Sequence, residues 1–212
     1  MNKSILSILD DNRSLLSKTF INLIFQIIVT AITIYMLRDK EVTGIFMFVA
    51  FIFIFFLMFP IIASNIPVIY KIILFIFFSI FFGIVLSPVN KINKNVLTAS
   101  IIGTISIFVF FFIIGLVITS YGYNISWLSG ILLISLFVLI ITGIISMLCG
   151  VSSTGHKIYL YFGLLVFSLY VLLDTNQILT NSMYRNDFVS ASMGYYLDIL
   201  NIFTKLTILN RS

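Results

Sequence analysis

The sequence predicts an all-α fold: a multi-pass transmembrane helical bundle of six spans, with a seventh, C-terminal helix that either crosses fully or re-enters at the centre. Three observations carry this. Of 212 residues, 61% are hydrophobic and only 9% are charged, whereas a soluble domain carries roughly 25% charged residues. The apolar residues form unbroken runs close to the roughly 20 residues that cross a hydrocarbon core about 30 Å thick as a helix. The runs are also uniformly apolar, without the alternating segments of about ten residues that build a membrane barrel.

Taken in order, residues 1–19 form an N-terminal tail and 20–212 a single transmembrane domain. Ile5, Ile8 and Leu9, followed by Leu15 and Leu16, suit either a short amphipathic helix on the membrane surface or a solvated tail. The charges of this tail extend far, and no small-x-small site follows a short apolar core, so it does not read as a cleaved signal peptide. Spans are expected near 20–37, 42–63, 68–89, 96–120, 126–149 and 158–180, with the C-terminal segment near 190–209. The breaks between them are "RDKE" at 38–41, "SNIP" at 64–67, "NKINKN" at 90–95, "YGYN" at 121–124 and "GVSSTGHK" at 150–157. The last of these puts His156 in a loop. Pro67 and Pro88 lie near boundaries, where a missing amide proton is tolerated.

The net charge is +5, with basic residues at the ends and between apolar runs. That placement suits anionic lipid headgroups rather than nucleic acid. With the N-terminus inside and a re-entrant last segment, the inner side holds seven basic residues against five outside. A full last crossing moves Lys205 and Arg211 across and reverses the preference. The single cysteine, Cys149, cannot form an internal disulfide.

Two acids interrupt apolar runs: Asp174 in "YVLLDTNQIL" and Asp198 in "GYYLDILNIF". The other five, Asp187 among them, lie in the tail or in loops. An acid at mid-span costs about 2.5–3.5 kcal/mol on insertion scales, so keeping two requires a partner, a proton or water. The polar link "TNSMYRNDFVSAS" at 180–192 joins their segments as an antiparallel hairpin, with each acid six residues from the link. Asp174, Gln177 and Asn181 follow i, i+3, i+7 spacing, as do Asp198, Asn201 and Lys205, so each set shares one helix face. Opposed faces make a polar seam. Two carboxylates there cannot both ionise cheaply, so they hold a proton between them and titrate as a unit. A hard cation such as calcium suits their oxygens and competes with that proton. The bland alternative is packing glue, each Asp hydrogen-bonding to neighbouring backbone or to Asn201, Gln177 or Tyr170.

"GYYLDILNIFTKL" resembles the C-terminal signature of the Bax inhibitor-1 family, the transmembrane Bax inhibitor motif superfamily that includes lifeguard and Golgi anti-apoptotic proteins. "LLDTNQIL" resembles its Asp-Thr-Gln segment on the sixth span, with Asn176 intervening before Gln177. "FFGIVLSPV" at 81–89 and "YGYNISWLSGILLISLFVLIITGIISML" at 121–148 are similar to its third-span ending and its fourth-to-fifth-span region. The resemblance runs from about 80 to 209. It implies a six- or seven-helix fold with a central C-terminal helix, calcium leak across a membrane, and suppression of cell death in eukaryotic settings. It also implies that Asp174 and Asp198 are the family's paired aspartates. Some members set a basic residue on the second span against that pair. No Arg or Lys occurs in 42–63 here, and Lys71 is placed near a membrane boundary.

The expected function is therefore a pH-sensitive calcium or cation leak controlled by Asp174 and Asp198, with calcium as the permeant or bound ion and no cofactor. The expected partners are the lipid bilayer and calcium, together with apoptosis-regulating membrane proteins. The alternative is a non-conducting regulator of apoptosis that acts through such partners. An intramembrane aspartyl protease is a remote third reading, because neither acid sits in the Tyr-Asp or Gly-x-Gly-Asp context of that class. No P-loop, dinucleotide fingerprint, zinc motif or nucleophile elbow is present, so no enzyme is expected. The expected location is a bacterial inner membrane or, for a viral or eukaryotic chain, the Golgi or ER membrane.

Overall fold

The computed structural model describes residues 4–63, 66–149 and 152–211. Its helices are α1 (Ile5–Asp11), α2 (Arg13–Met36), α3 (Gly44–Ile62), α4 (Val68–Leu86), α5 (Lys94–Ser120), α6 (Leu128–Cys149), α7 (Ser153–Thr180) and α8 (Phe188–Leu209). Short 3-10 turns follow α4 and α7, and no strand occurs among the described residues. Six of these helices, α2 to α7, are long and apolar enough to cross a membrane. The all-helical multi-pass bundle expected from composition is what the chain forms.

The polar breaks end the helices by identifiable means. Thr43 caps α3 by accepting from the Phe46 amide at 3.4 Å, and Ser152 caps α7 by accepting from the Gly155 amide at 3.2 Å. Such caps satisfy amides that have no partner within the helix. At the end of α5, Gly122 adopts φ +78°, and its amide donates to the Thr119 carbonyl at 2.9 Å. Only glycine takes that left-handed position without strain.

Three boundaries differ from expectation. The segment read as a tail contains α1 and the first turns of α2. α7 begins at Ser153, so His156 lies in its first turns rather than in a loop. The cause is the Ser152 cap, which allows a helix to start in a polar stretch. The link between α7 and α8 is only 181–187, because α8 begins at Phe188 and takes in "FVSAS".

Exposure runs opposite to that of a soluble protein. α3 and α6 are among the most apolar spans, and only 17% and 11% of their apolar windows are buried. α7, the least apolar of the six, is 50% buried. Phe51, Phe55, Phe56 and Ile45 face outward. Lipid tails solvate such side chains as well as a protein core does, so burial is reserved for polar faces. α8 carries this furthest: it holds Asp198 and Lys205, and no residue from Phe188 to Leu209 is exposed.

The chain packs as two compact units. One comprises Arg13–Asn93 with Ser182–Tyr196, and the other Met1–Asn12, Lys94–Asn181 and Leu197–Ser212. In the first, α4 packs against both α2 and α3. A Cβ on Gly83 would come within 2.7 Å of Thr33 Cβ, so α2 and α4 approach closely there. A buried polar ladder follows. Asn22 donates to Ser192 Oγ at 2.5 Å, Ser79 Oγ donates to Gln26 Oε1 at 2.8 Å, and the Thr30 and Tyr196 hydroxyls pair at 2.5 Å. In the second unit α7 packs against α5 and α6, and α1 lies on α5. Gly115 of α5 admits α7 as Gly83 admits α2: its Cβ would lie 2.7 Å from Thr175 Cβ and 3.0 Å from the Leu172 carbonyl oxygen.

The first unit also adds partners to two residues placed from sequence. Lys71 lies in the first turn of α4, near the end of the span as expected, but it is buried. It is 1% exposed, and its ammonium forms an ion pair with Asp187. Asp187 does lie in the link, between the 3-10 turn and α8, and has partners there. Its Oδ1 accepts from the Ser190 amide at 3.1 Å, which caps α8, and its Oδ2 accepts from Ser190 Oγ at 2.7 Å. Lys71 Nζ also donates to Ser190 Oγ at 3.2 Å, and that hydroxyl lies 3.1 Å from the Ile61 carbonyl oxygen. A cation three residues into an apolar helix is tolerable because each of its neighbours is hydrogen-bonded.

Candidate functional site

The acid pair belongs to the second unit, on α7 and the C-terminal part of α8. Asp174 lies six residues before the end of α7 at Thr180, and Asp198 ten residues after the start of α8. The equal spacing expected from a longer link does not hold, and the two acids fall in the same compact unit. Tyr170 precedes Asp174 by one helical turn, so the two lie on one face of α7.

The surroundings of the two acids differ. Asp174 is half-buried. Asp198 is 5% exposed, and its Oδ2 is buried with no hydrogen-bond partner. A buried carboxylate oxygen that accepts no hydrogen bond is costly if charged, and most native structures avoid one. Among the described residues, no ion pair involves Asp198.

The supporting residues expected from helical spacing do not all reach the pair. Gln177 is half-buried on the same helix as Asp174. Asn181 caps the end of α7 in an extended conformation (φ −89°, ψ 122°) and is exposed. The Asn201 amide donates to its own helix, at the Leu197 carbonyl, 2.8 Å away. Lys205 is buried but turned away from Asp198, with its ammonium 4.0 Å from the centre of the Tyr159 ring.

Sequence reasoning missed Asn176. It is fully buried and donates to Thr119 Oγ1 and to the Tyr123 carbonyl, both at 2.9 Å, while its Oδ1 accepts from the Ile125 amide at 3.2 Å. These bonds tie α7 to the end of α5 and to the loop that follows. Two residues past Asp174 is about 200° around a helix, so Asn176 faces away from the acid pair and fixes the rotation of α7 from behind. The signal was available: an amide within an apolar run must find partners.

As a place for a cation, the site offers two carboxylates and a phenol. Among the described residues no group of three or more His, Cys, Asp or Glu side chains converges.

Six helices long and apolar enough to span, followed by a C-terminal helix that carries Asp198 and has no exposed residue, define a polytopic helical membrane protein. Residues 12–211 match the family model described as Inhibitor of apoptosis-promoting Bax1. The chain belongs to this Bax inhibitor-1 family. Individual curated proteins give no match to it.

Proposed function

We propose that the protein is a pH-sensitive leak for calcium or a similar cation, with Asp174 and Asp198 as the proton- and cation-sensing pair. The buried, unpartnered Oδ2 of Asp198, in the same compact unit as Asp174, carries this reading. A structural acid in the interior is held by donors, as Asp187 is; an acid without donors is open to a proton or a metal ion. Proton and cation exclude one another, so acidity alters cation passage. Membership of the Bax inhibitor-1 family supports the reading and extends it to suppression of cell death where the host is eukaryotic.

The test is calcium flux into liposomes containing the purified protein, measured across pH for wild type and Asp174→Asn/Asp198→Asn. The expected result is a pH-dependent flux whose dependence disappears in the double variant. A flux with unchanged pH dependence overturns the role of the pair. No flux from folded wild type overturns conduction and leaves a regulator that works through partner proteins.

A further inference from the structure

The seam between α7 and α8 has a second charged end. On α7, Tyr159, Gly163, Tyr170 and Asp174 recur at helical spacing on one face; on α8, Asp198, Asn201 and Lys205 do the same. The acids occupy one end. At the other end Lys205 crosses to α7: a Cβ on Gly163 would lie 2.8 Å from Lys205 Cε and 3.4 Å from Cδ, so the missing side chain of Gly163 is the notch that holds the lysine stem. The ammonium sits 4.0 Å from the Tyr159 ring centre. Lys205 is 9% exposed, and among the described residues no carboxylate pairs with it. Tyr159 and Asp174 are fifteen residues apart on α7, about 22 Å along the axis.

We propose that Lys205 is a charge gate for this seam: its ammonium, parked on Tyr159 in the Gly163 notch, repels cations moving to or from the acid pair. This rests on the conduction reading and adds a barrier to it. A lysine that only carried its charge to water would extend its head outward; this one rests on a ring inside. The contact that holds it also matters. A cation–π contact is weaker than a buried ion pair, so this lysine can be displaced where Lys71 cannot.

The experiment uses the full chain in calcium-reporting liposomes, with the melting temperature of each variant in detergent as a check on folding. Lys205→Met removes the charge and is expected to raise calcium flux by at least about threefold, because like charges repel strongly at low dielectric. Lys205→Arg keeps the charge and the ring contact and is expected to restore the wild-type rate. Tyr159→Phe keeps the ring and stays near wild type, whereas Tyr159→Leu loses the ring and raises flux with the lysine still present. A merely structural lysine would not separate these pairs. If Asp174→Asn/Asp198→Asn alters flux while Lys205→Met and Tyr159→Leu do not, the gate is overturned and the conduction reading stands. If folded wild type passes no calcium, both fall.

Discussion

Asp187 and Asp198 lie eleven residues apart on or beside the same helix, and their surroundings are opposite. Asp187 has a lysine, a hydroxyl and a backbone amide within hydrogen-bonding reach. Asp198 has a buried oxygen with no hydrogen-bond partner. Both sit where a charge is expensive, but only one is compensated. Compensation is what a fold needs from a buried charge, and its absence leaves a group free to exchange a proton or an ion. The comparison therefore separates an acid that holds the start of α8 in place from one whose buried oxygen has no partner.

The largest effect is expected from breaking the compensated site. Lys71→Met strands Asp187 without its cation, and the loss of one partner of a buried pair costs about 3–5 kcal/mol. Asp187→Asn keeps the α8 cap, since Asn caps about as well as Asp, but strands Lys71, and it should cost a similar amount. The double variant Lys71→Met/Asp187→Asn should recover much of either loss, because no unpaired charge remains. Unfolding titrations in detergent measure all three. A double variant as unstable as the two losses added together would mean that the two residues act separately.

The spans were legible because twenty consecutive apolar residues average out local ambiguity, and no soluble alternative tolerates them. That Asp174 and Asp198 interrupt the apolar helices was legible for the same energetic reason: a charge in an apolar run has to be explained. Lys71, read as lying near a span boundary, was given no partner. Its partner was out of reach in any case, since Lys71 and Asp187 are separated by 116 positions and helical spacing says nothing across that distance. Spacing placed Lys205 on the correct face of α8 but not in the correct direction. Its direction is set by Gly163 on another helix, whose role is the space it leaves. Asn176, read as an interruption of a motif, turned out to anchor the helix that carries Asp174.

A finer contrast lies in the two glycine contacts. Gly83 and Gly115 serve α4 and α5 in the same way, and in each case an added Cβ would fall 2.7 Å from a threonine Cβ and within about 3 Å of a carbonyl oxygen. Gly83→Ala and Gly115→Ala are each expected to cost about 1–3 kcal/mol through overpacking. Gly130→Ala, where nothing lies within 4 Å, should cost nothing measurable. The functional outcomes diverge. Gly115 presses on Thr175 and Leu172, either side of Asp174, so Gly115→Ala should shift the pH dependence of calcium flux in liposomes. Gly83→Ala should lower stability and leave that dependence in place. Equal effects on the pH profile would remove the distinction between the two units.

The smallest stability effect is expected at the acid pair, and its sign makes it the sharpest test. Asp198→Asn removes a charge that nothing compensates and keeps the shape of the side chain, so stability should stay within about 1 kcal/mol of wild type or rise slightly. Asp174→Asn should behave likewise. Because either substitution alone abolishes the repulsion between the two carboxylates, the second should add little, giving a coupling of about 0.5 kcal/mol or more in a double-mutant cycle. The cycle at Lys71 and Asp187 should also be non-additive, but there each single change is costly and the second restores stability. Opposite signs for the single variants, with coupling in both cycles, are what one attractive and one repulsive pair produce. Additive effects at Asp174 and Asp198 would mean that the two acids do not sense each other, and a shared proton would then have no physical basis.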